Sequence, residues 1–373
     1  LFGAHWQAAQ TANRHSSSLS PPQKSSMESA IPEHLRRPRT RHARISENHR
    51  PVGQGVVPRF AASVSRVSIA HLGAQHRPGE DASQVDCAVR WLMDQLALEA
   101  GPSLVERSSF VDRAGFHNQL LTSYSTDDVL DRWWQKIGHR WTRDHSLLPG
   151  VGRFAEIFQP SVDRVEAIAE GVIWHGLTRL AGRVSEPVLE QGYWGSMRDR
   201  IPLSQTDALS PSGAFRCTTE GSLIRVHPPS NLCLIRTGQD WSLGDLEEQQ
   251  AYRLNIEPTM KASMDLLDGS GPRLGCLSNR YAWVLDGDGR VRQETFGLSL
   301  WRSLEQLERW AEGHFNHLAS FLGAVRHGQR FGAAARLSRY HEVIVPSAEQ
   351  VLLEYRNCHE ATGLLAAMAA SPS

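Results

Sequence analysis

Three histidines near the end of the chain have the types and spacing that could do chemistry. His314 and His317 stand three residues apart in the run E-G-H-F-N-H-L, and His341 lies in the run R-Y-H-E-V. An imidazole can bind a metal through either ring nitrogen and can exchange a proton near neutral pH. We interpret the pattern as one helix histidine that holds a haem iron, with His341 supplying acid–base chemistry beside it.

Two plainer interpretations of the helix histidines stay open on this pattern alone. Both His314 and His317 could be partly buried structural residues whose ring nitrogens are satisfied by neighbours, which is the commoner situation for an arbitrary H-x-x-H pair. Zinc binding is weaker, because no third cysteine or histidine follows at metal-site spacing. Helical periodicity would bury His314 more centrally than His317, so spacing does not choose the ligand.

A helix and a strand must position these histidines. Ser303 and Gln306 form a capping-box pattern, which predicts a helix that begins at Ser303. Apolar positions then recur at spacings of three and four. This stripe consists of Leu304, Leu307, Ala311, His314, Leu318, Phe321 and Val325. His341 falls on a predicted strand from Leu337 to Val345.

Composition indicates a globular protein without a bias toward nucleic acid or membranes. The 373 residues include 40 lysines and arginines against 40 aspartates and glutamates, so no global field attracts either partner. No run approaches the roughly 20 apolar residues that a membrane helix needs. The five cysteines are scattered and form neither C-x-x-C nor C-x-x-C-H, which favours a reducing compartment, the cytoplasm, and excludes covalent c-type haem attachment.

The N-terminal part divides into two segments. Residues 1–26 contain no acidic residue, six serines and a Pro-Pro pair, and we expect a disordered leader ahead of a start at Met27. Residues 27–62 are expected to form an arm. Its basic run at 36–50 could bind nucleic acid, but no aromatic residues interleave there, so a solvated arm lying over the fold is favoured.

A β-α-β-β-α-β pattern then occurs twice, in residues 63–160 and 231–346. The first copy has strands at 64–73, within 107–124 and at 152–158, and helices around 85–96 and from 126 onward. The second has a strand at 231–238, a helix from Leu246 to Leu267 kinked at Pro258, a hairpin over 273–301 that turns at Asp288-Gly289, and then the histidine helix and strand. Each copy matches the ferredoxin-like unit.

Local sequence matches support a true duplication. The run Leu130–Trp133 is similar in sequence to Leu307–Trp310, and the run Arg153–Ile157 is similar to Arg339–Val343. At the matching positions the first copy has Arg140 and Ala155 where the second has His317 and His341. Two histidines gained in one half favour a functional site there. Two such units can pack sheet against sheet into an α+β barrel, which closes exposed sheet edges.

The connector, residues 161–230, carries further polar candidates, and residues 347–373 form a C-terminal segment. Glu166 lies in V-D-R-V-E-A-I, and the run Q-G-Y-W-G-S-M-R-D-R-I-P over 191–202 predicts a shaped loop rather than a regular element. An arginine in such a loop is a common partner of a carboxylate or oxyanion. Spacing cannot choose between Arg198 and Arg200.

Five segments together carry a resemblance to a known family. They are Q-G-Y-W-G-S-M-R-D-R-I-P, L-I-R-T-G-Q-D-W, L-E-R-W-A-E-G-H-F-N-H-L, R-Y-H-E-V and N-C-H-E-A-T-G. In this order they resemble the aldoxime dehydratases, bacterial haem b enzymes that convert aldoximes to nitriles and water. The similarity runs from Met27 to about Gly363, nearly all of the chain.

The resemblance implies a fold and a set of site residues. The fold would be a dimeric-type α+β barrel of two ferredoxin-like repeats, with haem b bound in the C-terminal half. His317 matches the axial ligand of the haem iron, and His341 matches the distal catalytic histidine. Arg200 matches a distal arginine, Glu166 an acidic pocket residue, and Thr237 a position where some relatives carry serine. The sequence H-F-N-H replaces H-P-T-H, which keeps the second histidine but removes a proline.

The resemblance also implies a reaction. The aldoxime nitrogen would bind ferrous haem iron, Thr237 would hold the oxime oxygen, and His341 would protonate the departing hydroxyl. Arg200 and Glu166 would orient His341. A homodimer is expected from the family, whereas the preference for alkyl or aryl aldoximes and the role of His314 are not predicted.

Three other functions fit parts of the pattern. A haem peroxidase or chlorite-dismutase-like enzyme would share the axial histidine but rely on a distal arginine, and His341 argues against it. A non-catalytic haem-binding protein would leave the convergence of Arg200, Thr237 and His341 without a purpose. A cofactor-free monooxygenase of the dimeric barrel type would show no Soret band.

Overall fold

The structure is a computed structural model that describes residues 27–51, 53–98 and 101–369. The predicted leader, residues 1–26, lies outside the described residues. The twelve strands within the described ranges are β1 Val67–His76, β2 Leu104–Val111, β3 His117–Thr126, β4 Gly152–Phe158, β5 Val165–Glu170, β6 Arg216–Glu220, β7 Leu223–His227, β8 Cys233–Asp240, β9 Cys276–Leu285, β10 Val291–Trp301, β11 Ser338–Ile344 and β12 Val351–Arg356.

The α-helices within the described residues follow in chain order. They are α1 Ser83–Leu96, α2 Val129–Trp133, α3 Arg140–Arg143, α4 Gly176–Ala181, α5 Ser196–Arg200, α6 Leu246–Asn255, α7 Glu257–Leu274, α8 Leu304–Gly313, α9 Phe315–Phe331 and α10 Leu365–Ala369. A π-helical turn, Trp134–Gly138, continues α2.

All twelve strands join one antiparallel sheet. Its order is β5-β11-β8-β10-β9-β2-β3-β1-β4-β12-β7-β6. Strands β2 and β9 join the N-terminal and C-terminal sets through a short pairing in which Ser108 lies opposite Val284. The expected α+β class with a large antiparallel sheet is therefore confirmed.

Because side chains alternate between the two faces of each strand, the buried apolar residues of β8 and β11 belong to two separate hydrophobic cores. One cluster mixes both halves of the chain, with Ile69 and Phe154 beside Leu234, Phe296 and Ile344. Successive side chains of a strand point to opposite faces, so the odd-numbered residues of β8 and β11 face the other way. There a second cluster joins the sheet to α7 and α8, and each buried leucine in it contributes about 1.5–3 kcal/mol.

The predicted histidine helix is two helices. Helix α8 ends at Gly313, His314 is extended with φ −87° and ψ 127°, and α9 begins at Phe315. Ser303 accepts a hydrogen bond from the Gln306 amide, so the predicted start is confirmed. The sequence predicted one helix through His314 because the spacing of the apolar residues continues across this residue.

Other boundaries differ for local reasons. The chain from Leu246 breaks at Ile256 and continues to Leu274, because Pro258 fits the first turn of a new helix. The hairpin turns at Asp286–Arg290, as predicted. The connector is more regular than expected: it contains β5, β6 and β7, and helix α5 lies inside the predicted loop.

The arm lies on the connector. The amides of Arg37 and Thr40 bond to Gln205, and Arg37 pairs with Asp163 at 2.8 Å. This contact pattern agrees with the solvated arm lying over the fold. Among the helices that the structure describes, none is both long enough and apolar enough to span a bilayer.

Candidate active site

Strands β8 and β11 form the floor of the candidate site. His341 lies directly opposite Thr237 in the antiparallel register, so both side chains leave the same face of the sheet. This is the face on which Val343 packs with α8. The polar side chains of the floor therefore lie on the side of the sheet against which α8 packs.

Strand β5 adds a carboxylate to this floor. Glu166 lies opposite Val343 in the register of β5 and β11, which gives its side chain the same direction as that of His341. Glu166 is 5% exposed. A carboxylate removed from water to this extent needs positive or hydrogen-bonding partners.

Helix α5 supplies that partner through Arg200, which is 4% exposed. Its Nε donates to Glu166 Oε2 at 2.7 Å, and its Nη1 donates to the Glu190 carbonyl at 2.7 Å. Its Nη2 lies 2.7 Å from His341 Nε2. Burial opposes ionisation of Glu166, but the Arg200 guanidinium and His341 hold the pKa of Glu166 below its usual value.

His341 Nε2 lies between a donor and an acceptor. The same nitrogen that is 2.7 Å from Arg200 Nη2 is 2.9 Å from Glu166 Oε1. When Nε2 carries no proton it accepts from Arg200, and Glu166 Oε1 has no other donor among the described residues. When Nε2 is protonated it donates to Glu166. Each protonation state of the ring therefore has its own partner.

The other polar atoms of the floor are less engaged. The His341 side chain is 30% exposed, and no partner of its Nδ1 occurs in the described part of the chain. The Thr237 hydroxyl has one long contact, 3.4 Å to the Tyr340 carbonyl. A polar substrate group could therefore reach both Nδ1 and the hydroxyl.

His317 belongs to helix α9, which follows α8, the helix that packs on this face of the sheet. It is the third residue of α9, and its Nδ1 donates to the Ala311 carbonyl at 2.8 Å, because a carbonyl can only accept. Burial lowers the pKa of His317 to about 4, with His341 and His314 contributing further. The ring is thus a neutral imidazole with the Nε2 lone pair available, and Trp310 and Trp194 lie beside it at centroid distances of 4.8 Å and 6.1 Å.

The two histidines of H-F-N-H have separate roles. His314 caps α9: its Nδ1 accepts from the Asn316 amide at 3.3 Å. The break that it makes between α8 and α9 turns His317 back toward the last turn of α8. Periodicity assigned the more central position to His314 because it assumed one continuous helix.

The two arginines of M-R-D-R point in different directions. Arg198 makes a two-pronged contact with Glu308 of α8, with its Nε 3.1 Å from each carboxylate oxygen, whereas Arg200 reaches Glu166 and His341. Sequence reasoning missed Glu308, which is 3% exposed, and Asp199 between the arginines. A charged residue in the apolar row of a predicted helix was the available signal for Glu308.

The chain is similar to known proteins over most of its length. A family model described as haem-containing dehydratase matches residues 70–364. The aliphatic aldoxime dehydratase of Pseudomonas chlororaphis is 34% identical over 355 residues, 93% of this chain and 100% of that protein. That of Rhodococcus globerulus is 36% identical over 350 residues, covering 91% of this chain and 98% of the relative.

A more distant relative and two crystal structures agree. The phenylacetaldoxime dehydratase of a Bacillus strain is 26% identical over 340 residues, 86% of this chain and 93% of that protein. A crystal structure of an aldoxime dehydratase gives a TM-score of 0.86 at 34% identity over 91% of this chain and 98% of the other, and one in complex with butyraldoxime gives 0.86 at 34% over 93% and 98%. The chain belongs to the haem-containing dehydratase family.

Proposed function

We propose that this protein dehydrates aldoximes, R-CH=N-OH, to nitriles and water with haem as its cofactor. The observation that carries the proposal is His341, whose Nε2 lies between Arg200 and Glu166 on a floor that faces a neutral His317. Relatives that are 34–36% identical and are named aliphatic aldoxime dehydratase support the proposal. The similar structure of an aldoxime dehydratase in complex with butyraldoxime supports it as well.

His317 is the residue that would hold the haem iron. Its Nδ1–H is fixed on the Ala311 carbonyl and its Nε2 carries the lone pair, as a haem ligand requires. The aromatic residues Trp194, Trp310 and Phe321 around it suit a flat apolar macrocycle. Haem, when bound there, would supply a Lewis-acidic iron that polarises the N–O bond of the aldoxime.

His341 would supply and recover the proton. Loss of water from an aldoxime breaks the N–O bond and the C–H bond, gives one proton to the leaving oxygen and releases one from carbon. One imidazole that donates the first proton and accepts the second ends in its starting state. After donation through Nδ1 the neutral ring still carries its Nε2 proton, which is hydrogen-bonded to Glu166 Oε1, while Arg200 holds Glu166 in place.

Thr237 and Arg200 would fix the geometry of this transfer. Thr237 lies beside His341 across the strand pair, so its hydroxyl can bond to the oxime oxygen while Nδ1 approaches the same atom. Arg200 is held by three partners and cannot swing away at little cost. Orientation of this kind accounts for much of the rate of an enzyme.

The finer architecture also belongs to this proposal. The order β4-β1-β3-β2 in one half and β11-β8-β10-β9 in the other support two ferredoxin-like units, residues 63–160 and 231–346, that form a dimeric-type α+β barrel. Residues 161–230 then act as a connector that contributes Glu166 and Arg200, and residues 27–62 and 347–373 are additions to the barrel.

The alternatives are less well supported. A peroxidase or chlorite-dismutase-like enzyme has no use for a histidine that alternates between a carboxylate and a guanidinium. A haem carrier leaves the buried Glu166–Arg200 pair unexplained, since two charges at 2% and 1% side-chain exposure cost several kcal/mol to desolvate.

Substitution of each histidine tests the assignment. His341→Ala should keep the Soret band and lose activity by about 10²-fold or more, whereas His317→Ala should lose haem. Haem content from the pyridine haemochrome and nitrile formation are measured on the same preparations. A His341→Ala enzyme with near-normal turnover would sink the assignment of His341.

Assembly and compartment stay predictions. A homodimer is expected, and sedimentation equilibrium of the haem-loaded protein would test it against a monomer of 41.6 kDa. The five cysteines are all free, which agrees with a reducing compartment such as the cytoplasm.

A further inference from the structure

Helix α5 is too short to be stable by itself, yet it carries Arg200. It has five residues, Ser196–Arg200, which is about one turn and a half and is not stable alone. The side chain of Arg200 must nevertheless keep its distances to Glu166 and His341 for the proposed proton transfer. Contacts outside the helix therefore have to fix the position of the α5 backbone.

Asp199 provides a contact for this purpose and takes no part in the chemistry proposed above. It is 2% exposed, and its Oδ2 accepts hydrogen bonds from the amides of Arg44 and Ile45 at 2.7 Å and 3.2 Å. The Tyr193 hydroxyl donates to the same oxygen at 2.9 Å. Burial and the Asp199 carboxylate raise the pKa of Tyr193, so this hydroxyl keeps its proton.

The arm presses closely on this helix. Gly195, just before α5, has φ 95°, and a Cβ there would overlap the side chain of Arg44. Arg44 also forms an ion pair with Glu312 of α8. The arm segment around Arg44 therefore bridges α5 and the helix that precedes His317.

The arm also closes the space behind the Glu166–Arg200 pair. A cavity of about 40 Å³ there is lined on one side by Glu166 and Arg200 and on the other by arm residues that include Ala30, Leu35 and Val57. Glu190, whose carbonyl accepts from Arg200, receives the Ala30 amide on its carboxylate at 2.7 Å. The arm is thus attached on both sides of Arg200.

We propose that the arm is a strap that positions Arg200 and that Asp199 is the residue to which it is fastened. Asp199 is a positioning residue: it acts on His341 through Arg200 and touches no reacting atom. The inference rests on the proposed function, because its consequence is a change in the proton chemistry of His341.

The test is Asp199→Ala in the haem-loaded full chain. Without this contact Arg200 should lose its fixed position and should no longer keep Glu166 and His341 in the geometry of the proposed proton transfer. We expect kcat to fall about tenfold or more, KM to change little and haem content to stay unchanged.

Two further variants keep the test decisive. Tyr193→Phe removes one of the three donors and should lower kcat by less, with KM and haem content unchanged, which covers the case in which Asp199→Ala does not fold. Asp163→Asn is the matched control, because it removes an arm contact with Arg37 that is away from α5, and it should behave as the parent.

The outcomes separate this inference from the proposed function. If the parent makes nitrile and both Asp199→Ala and Tyr193→Phe retain its kcat, the proposal of a strap is overturned. An equal loss in Asp163→Asn also overturns it, since the effect would then be general destabilisation. A haem-loaded parent that makes no nitrile overturns the proposed function instead.

Discussion

At the scale of single residues, the proposed chemistry depends on which group contacts Nε2 of His341. Glu166 Oε1 and Arg200 Nη2 compete for His341 Nε2 at 2.9 Å and 2.7 Å. An acceptor with no other donor stabilises the imidazolium, and a fixed cation stabilises the neutral ring. A group that must give and then take a proton benefits from both.

Replacement of Glu166 should therefore damage catalysis without removing haem. Glu166→Gln keeps the shape but removes the charge that stabilises protonated His341, and we expect kcat to fall about tenfold to a hundredfold. Steady-state rates of nitrile formation and the haem content of the same preparations would measure both effects.

Glu170→Gln is the matched control on the same strand and face. Glu170 pairs with Arg339 at a partly exposed position, where an ion pair contributes about 0–1 kcal/mol. Glu170→Gln should leave kcat and haem content unchanged. Equal behaviour of the two variants would show that Glu166 is an ordinary structural carboxylate.

The site residues differ in how far the sequence could predict them. His341 and His317 stand out because the duplicated pattern lacks them in its first half, and the resemblance then selects Arg200 over Arg198. Asp199 and Glu308 were not predicted, because nothing in M-R-D-R or L-E-R-W tells which charged side chain turns inward. That choice is made by tertiary contacts.

At the scale of elements, the interruption at His314 sets the position of the axial candidate. In a continuous helix His317 would direct its Nδ1 along the helix surface. The extended conformation of His314 instead starts a new helix whose third residue bonds back to Ala311. The sequence did not predict this break, because Gly313 and His314 do not interrupt the apolar period.

The start of α9 makes a specific prediction at Phe315. Phe315 is the first residue of α9 and is 71% exposed, a position that favours proline. His314 already has the extended conformation required before a proline. Phe315→Pro should retain haem and raise the free energy of unfolding by up to about 1 kcal/mol, as measured by chemical denaturation.

Leu322→Pro provides the contrast within the same helix. Leu322 is also exposed, at 47%, but it lies in the helix interior, where proline removes a hydrogen bond and costs about 3 kcal/mol or more. A Phe315→Pro protein that is as damaged as Leu322→Pro would contradict the described helix start.

At the scale of the whole molecule, largely buried ion pairs between strands connect the N-terminal and C-terminal halves of the chain. Arg236 of β8 contacts Glu106 of the first half at 2.6 Å, and Arg280 of β9 contacts Glu156 at 2.6 Å. Glu342 follows His341 on β11 but points to this opposite face. It accepts from the Leu177 amide and from the Tyr124 hydroxyl.

Glu342 should make stability depend on pH. Burial raises the pKa of Glu342 from 4.5 to about 7, so between these values the folded state binds more protons than the unfolded state. The free energy of unfolding then falls as pH rises through this window, by roughly 3 kcal/mol for this group. Glu342→Gln should remove that fall, measured by urea denaturation at pH 5 and pH 7.

Glu354→Gln should act in the opposite direction. Although burial opposes it, hydrogen bonds from Arg143, Thr142 and Arg225 hold the pKa of Glu354 below 4.5. Its contribution is therefore present at pH 7 and is lost as pH falls below about 4.5. Identical pH dependence in the parent and both variants would contradict these assignments.

The α+β class was predictable, because the repeated pattern of strands and helices in the sequence follows local rules. The connector was not, since β5 gains its strand partner from β11 and the β6–β7 hairpin joins the sheet only through β12, both far along the chain. Strand β5 is also only six residues long. This mattered for function, because β5 and α5 carry Glu166 and Arg200.

The most direct test of the central claim is an anaerobic assay of the haem-loaded protein with phenylacetaldoxime and butyraldoxime. Nitrile is followed by chromatography for the dithionite-reduced and the ferric forms, with no oxygen or peroxide present. We predict nitrile from the ferrous form and none from the ferric form. A protein with a normal Soret band that makes no nitrile in either state would contradict the account.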